Sequence, residues 1–100
     1  MNHFEIKKSL LLSIQRALLG MIYPEIRAIA VDFQETKKLT VVYYLDREPN
    51  EDDYESISDV TAEVLADIDF SKVEEKCIFT NEPIAELNCF ETWVYMRKEI

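Results

Sequence analysis

Leu39-Thr40-Val41-Val42-Tyr43-Tyr44-Leu45 is a run of β-branched, aromatic and aliphatic residues broken by a single threonine. Successive side chains of a strand point to opposite faces, so a run that is apolar on both faces needs cover on both. The stretch predicts a central strand, or one whose outer face is covered by a partner. Upstream, residues 26–33 form another β-rich run, and the polar Gln34-Glu35-Thr36-Lys37-Lys38 between them suits a hairpin connection. Ile29, Val31 and Phe33 share one face of this run, while Arg27 and Asp32 mark exposure.

Further upstream, residues 4–19 carry Ile6, Leu10, Leu11, Ile14, Ala17 and Leu18 at helical spacing. Asn2 with Glu5 three positions on makes a capping box, and Gly20 suits the left-handed position after the last turn. Tyr23-Pro24 then blocks further helix. Downstream, residues 46–53 form a polar loop containing Pro49. Asp52 or Asp53 is expected to cap a second helix that ends near Asp67 or Ile68. Its core stripe is Ile57, Val60, Val64 and Ile68, with Thr61 and Leu65 on the margin. At ~100° per residue, Glu55, Asp59 and Glu63 lie away from that stripe.

Residues 73–80 and 90–98 are again strand-like, joined by Asn81-Glu82-Pro83-Ile84-Ala85-Glu86-Leu87-Asn88. The order is α-β-β-α-β-β, and residues 1–100 form one domain. The expected class is α+β: two layers, with a four-stranded, mainly antiparallel sheet built from two hairpins and both helices on one face. The other face then lacks a helix. Trp93 and Tyr95, bracketed by Glu91 and Arg97, are assigned to it together with Tyr43 or Tyr44. There they serve either as ordinary cover for an antiparallel sheet or as a rigid amphipathic patch of binding anchors.

Hydrophobic residues make up 48% of the chain and charged residues 31%, the balance of a globular domain with one modest core. Residues 46–69 hold ten of the twenty acids and one base, Arg47, so this stretch carries the whole net charge of −9. A pI near 4.5 argues against nucleic acid as a direct ligand and against anionic membrane surfaces. No signal peptide is expected, since Glu5 precedes the apolar run and no small-residue cleavage site follows. No apolar run approaches the ~18 residues of a membrane span. Cys77 and Cys89 are expected to be reduced core thiols of a cytoplasmic protein.

Little in the chain supports catalysis or a cofactor. The only histidine, His3, lies near the start and is expected to be frayed and solvated; a nucleophilic triad needs an oriented base. The only glycine follows a helix and forms no phosphate loop. Two cysteines and one distant histidine do not make a zinc site. Asp46, Glu48, Asn50 and Asp52 match alternate places of a calcium loop. However, its sixth place is Glu51 instead of glycine and its twelfth is Ile57 instead of glutamate. The acids are crowded on an exposed element and not enclosed as a general acid–base pair would be. No enzyme activity, metal or cofactor is expected.

The acidic stretch is either a solvated face that keeps the protein soluble or a docking surface for a basic protein. Clustered charge speeds encounter and fixes orientation. Like charges four apart disfavour a helix by a few tenths of a kcal/mol per pair, and residues 48–69 contain no Lys or Arg to relieve them. Glu51, Asp52, Asp53, Glu55, Asp59 and Glu63 are the candidate steering and ion-pairing residues, with Trp93 and Tyr95 as candidate anchors.

Leu11-Leu12-Ser13-Ile14-Gln15-Arg16-Ala17-Leu18-Leu19-Gly20, Pro24, Arg27-Ala28 and Val31-Asp32-Phe33 resemble the start of small bacterial immunity proteins of polymorphic toxin systems. The acidic helix with Ala62-Glu63-Val64 and the closing Trp93-Val94-Tyr95-Met96-Arg97-Lys98 do so too. Contact-dependent growth-inhibition immunity proteins are the nearest group. The resemblance implies a cytoplasmic, non-enzymatic protein that neutralises a cognate toxin C-terminal domain, often a nuclease and hence basic. It does not transfer contact residues. The alternative is an acidic interaction subunit or DNA mimic that blocks a nucleic-acid-binding protein. A monomer is expected, with dimerisation through an exposed outer strand as the other arrangement.

Overall fold

Asn2 and Asn50 start the two helices in the same way. In the computed structural model, which describes residues 2–99, Asn2 Oδ1 accepts from the Glu5 amide at 2.8 Å and opens α1, His3–Ala17. Asn50 Oδ1 accepts from the Asp53 amide at 3.2 Å and opens α2, Glu51–Asp67. In return, Asp53 Oδ2 accepts from the Asn50 amide at 2.8 Å. The cap of α2 is therefore Asn50, not Asp52 or Asp53. The Asn-x-x-Asp spacing satisfies two free amides at once and places three acids in the first turn, at the positive end of the helix dipole. Gly20 has φ +77°, as expected for the residue that turns the chain out of α1.

Between and after the helices lie β1 (Ile26–Gln34), β2 (Lys38–Leu45), β3 (Lys72–Phe79) and β4 (Thr92–Met96), with a 3₁₀ turn at Ile84–Glu86 before β4. The α-β-β-α-β-β order and the α+β class are as expected. The sheet order is β3-β2-β1-β4. β1 pairs antiparallel with both β2 and β4, and β2 pairs parallel with β3, from Lys38 opposite Lys72 to Leu45 opposite Phe79. The sheet is thus mixed, and β3 and β4 occupy opposite edges instead of forming a second hairpin. α2 carries the chain back along the sheet, so β3 starts at the same end as β2 and must run parallel to it.

Both helices pack on one face. Ile6, Leu10 and Ile14 of α1 and Ile57, Val60 and Val64 of α2 meet Ile29, Val31, Leu39, Val41 and Tyr43 of the sheet in a single cluster. β2 is an inner strand, the first of the two arrangements its apolar faces allowed, and both of its faces are covered. The second face is not open. Residues 80–91 cross it, and Ile84, Leu87, Phe90 and Trp93 cover Ala28, Ala30, Val42 and Tyr44. The Tyr44 hydroxyl donates to the Asn88 carbonyl at 2.7 Å and fixes the crossing. Alanines at 28 and 30 leave room for the crossing chain.

Trp93 and Tyr95 do not share a face. Trp93 lies opposite Ala30 and Tyr95 opposite the adjacent Ile29, so a bulge at Val94 reverses the alternation of β4. Trp93 joins the crossing segment and meets Tyr44 edge-on, with ring centroids 5.8 Å apart. Tyr95 packs with the helix-side core. Of the two tyrosines proposed to accompany them, Tyr44 is on the second face and Tyr43 lies under the helices.

Arg27 is buried, not exposed. Its Nε and Nη2 donate to the two carboxylate oxygens of Glu99 at 2.8 and 2.7 Å, and Nη1 donates to the Thr80 carbonyl at 2.9 Å. Arg97 bonds the same Glu99, the Pro24 carbonyl and Asp46. The end of the chain is thereby clasped to the start of β1 and the end of β2. Cys77 is buried, Cys89 is half-buried, and both are free thiols.

Candidate partner-binding surface

α2 buries Ile57, Val60, Thr61 and Val64, and Ile68 follows at its end, as the periodicity requires. Opposite this stripe, Glu51, Asp52, Glu55, Asp59 and Glu63 are all exposed. Glu51, Glu55, Asp59 and Glu63 stand four residues apart, at ~6 Å rise per step. Each like-charge step disfavours the isolated helix by about 0.2–0.5 kcal/mol, so packing of the buried stripe must hold the helix together.

Asp53 is not part of this exposed row. It is 1% exposed and faces the loop that precedes the helix. Arg47 Nη1 and Nη2 donate to its two oxygens at 2.7 and 3.0 Å, and the Tyr23 hydroxyl donates to Oδ1 at 2.6 Å. The Arg47 guanidinium foremost, then Tyr23 and the Asn50 amide, hold the Asp53 carboxyl down to about 2 against the opposing effect of burial. Burial and the Asp53 carboxylate in turn push the Tyr23 hydroxyl well above its ordinary range.

This arrangement decides the electrostatics of the stretch. Its single base is turned onto its single buried acid. Asp46 is paired with Arg97 at 2.7 Å and Asp67 with Arg16 at 2.9 Å. Asp67 also accepts from Ser13 Oγ at 2.7 Å, linking α2 to α1 and accounting for an acid placed at the unfavourable end of the helix dipole. Among the described residues the other seven acids of 46–69 make no ion pair, and five of them form the row on α2.

Tyr54, a residue that periodicity did not single out, stands beside this row and is 45% exposed. With Glu51, Glu55, Ser58 and Asp59 it lines a shallow open depression. Its place three residues before Ile57 put it on the margin of the stripe, which was the available signal. Trp93 and Tyr95 are remote from this arrangement in the fold: both sit on β4, at the far edge of the sheet from β3.

Among the described residues no group of three or more His, Cys, Asp or Glu side chains converges as a metal site requires. His3 is not frayed: it is the first residue of α1, stacks on Phe33 at 4.7 Å and lies 2.8 Å from Glu91. Among the described residues, no helix is long and apolar enough to cross a membrane.

Residues 7–99 match the family of MafI2 immunity proteins. The chain belongs to this family. The match spans nearly the whole fold, from the first turns of α1 to the Glu99 clasp, and agrees with the expected resemblance to immunity proteins of polymorphic toxin systems. The function of a MafI2 immunity protein is immunity against a toxin, so the partner is a cognate toxin. No curated protein matches the chain. Among solved structures it is similar to the metal-bound C-terminal domain of the CzcD transporter from Thermotoga maritima. That match has 15% identity and a TM-score of 0.43, and covers 88% of this chain and 100% of that one. A likeness at that level carries no argument about function.

Proposed function

We propose that this MafI2-family protein neutralises its cognate toxin by stoichiometric binding, without turnover, in the cytoplasm of the cell that makes it. In this reading the exposed face of α2 is the docking surface, and the toxin domain presents a basic surface to it. Nucleases fit best, because a groove that holds phosphates is lined by Lys and Arg. The observation that carries the reading is the row Glu51, Asp52, Glu55, Asp59 and Glu63, unrelieved by any base of its own helix. Tyr54 supplies an aromatic anchor within the row, a residue type favoured at interface hot spots.

Mixing the protein with the toxin domain encoded beside its gene tests this directly. A one-to-one complex by native mass spectrometry, with toxin activity abolished at one equivalent, is expected. Toxin activity that persists at tenfold excess of this protein would reject the proposal.

A further inference from the structure

The two outer strands of the sheet differ in how they are protected. β4 has five residues and a bulge, which shorten and twist its edge. β3 has eight residues in unbroken register with β2, contains no proline, and among the described residues nothing pairs with its outer side.

The direction of its backbone groups follows from two bonds. The Lys72 amide donates to the Lys37 carbonyl at 3.0 Å, and the Thr80 amide donates to the Leu45 carbonyl at 3.1 Å. Even-numbered residues therefore turn toward β2 at both ends. The N–H and C=O of one strand residue point the same way and the direction alternates along the strand. Val73, Glu75, Cys77 and Phe79 thus aim their backbone groups away from the sheet.

α2 overlooks this edge. Ser58 Oγ donates to Glu75 at 2.8 Å, and the Thr61 hydroxyl donates to the other carboxylate oxygen of Glu75. These bonds identify the flank of α2 that meets β3. Tyr54 lies one turn before Ser58 on that flank and Leu65 one turn after Thr61; both are exposed, as is Phe79 at the end of β3 on the same side of the sheet. A free edge, apolar side chains beside it and the acidic row above it lie together.

We propose that the toxin domain binds by adding one of its own strands to the outer edge of β3, with basic side chains of that strand set against Glu51, Glu55 and Asp59. This rests on the toxin-binding reading above and specifies its geometry. Backbone bonds to an edge strand supply affinity, and flanking side chains supply selectivity. Charge selects the occupant: a second copy of this chain would bring two molecules of charge −9 and two acidic rows together, whereas a basic strand is attracted.

Amide hydrogen exchange followed by NMR, on the protein alone and with one equivalent of the toxin domain encoded beside its gene, tests the proposal. The amides of Val73, Glu75, Cys77 and Phe79 should exchange freely in the protein alone and slow by at least ~10-fold in the complex. Those of Glu74, Lys76 and Ile78 should be protected in both. A complex in which the four outward amides exchange as in the free protein would overturn strand addition and leave toxin binding standing. Protection of the same four in the protein alone, rising with its concentration, would assign the edge to a second copy and overturn it too. Absence of any complex would reject the toxin-binding reading itself, and strand addition with it.

Discussion

Asp53 holds both terminal nitrogens of Arg47, at 2.7 and 3.0 Å, from a position in the interior. One ion pair thus consumes the only base of the acidic stretch and fixes the loop before α2 to the first turn of that helix. What is left on the outside is negative only.

Acid should unfold the protein through such pairs. Asp53 is held down to about 2 by Arg47, and Glu99 to about 2 chiefly by Arg27. A carboxyl lowered in the folded state stabilises it above the ordinary carboxylate range near ~4, and that stabilisation disappears as pH falls toward the folded value. Stability from urea unfolding should therefore be level from about pH 7 to 5 and fall between about 4 and 2. Asp53→Asn should lose about 2 kcal/mol at neutral pH and show a shallower acid decline. An unchanged acid profile in the variant would show that the pair has no such role.

The clasp at the chain end makes a second prediction. Arg27 is buried and depends on Glu99 for its partner. Glu99→Ala should cost about 3 kcal/mol, because it leaves a buried cation unpaired. Lys98→Ala, at an exposed position next to it, should be neutral within about 0.5 kcal/mol in the same thermal melts.

Trp93 and Tyr95 should behave as members of two separate clusters. Trp93→Ala should destabilise by about 2–3 kcal/mol and couple with Tyr44→Ala by about 1 kcal/mol in a double-mutant cycle. Its coupling with Tyr95→Ala should be small, within about 0.5 kcal/mol. The opposite ranking would place the two aromatics on one face.

The two thiols should differ in reactivity, since Cys77 is buried and Cys89 only half-buried. Burial, reinforced by the charges of Asp53 and Glu75, pushes the Cys77 thiol up to about 12. Iodoacetamide at pH 8 should alkylate Cys89 in the native protein and reach Cys77 only after unfolding, as read by peptide mass spectrometry.

How much of this was legible in the sequence depended on how local each signal is. The two helices, the β1–β2 hairpin and the central place of β2 follow from periodicity within a few residues. Strand direction is not written in alternation, so the parallel pairing of β3 with β2 came only with the crossing of α2. The bulge at Val94 moved Tyr95 to the other face, since one extra residue reverses every side chain beyond it. Arg27 looked exposed because its partner Glu99 is distant in the chain; Asp53 looked exposed because its burial follows from the fold of the loop that brings Arg47 and the distant Tyr23 onto it. The acidic row was legible because its spacing is a property of one helix, whereas the free edge beside it required the strand order.

Association kinetics of the purified toxin domain with the protein test the docking surface most directly. Wild type would be compared by stopped flow, over a range of salt, with a variant carrying Glu51→Gln, Glu55→Gln, Asp59→Asn and Glu63→Gln. The variant should associate at least ~10-fold more slowly at low salt, with a flatter salt dependence and a dissociation rate changed far less. Equal association rates and equal salt slopes in the two proteins would contradict an acidic docking face on α2.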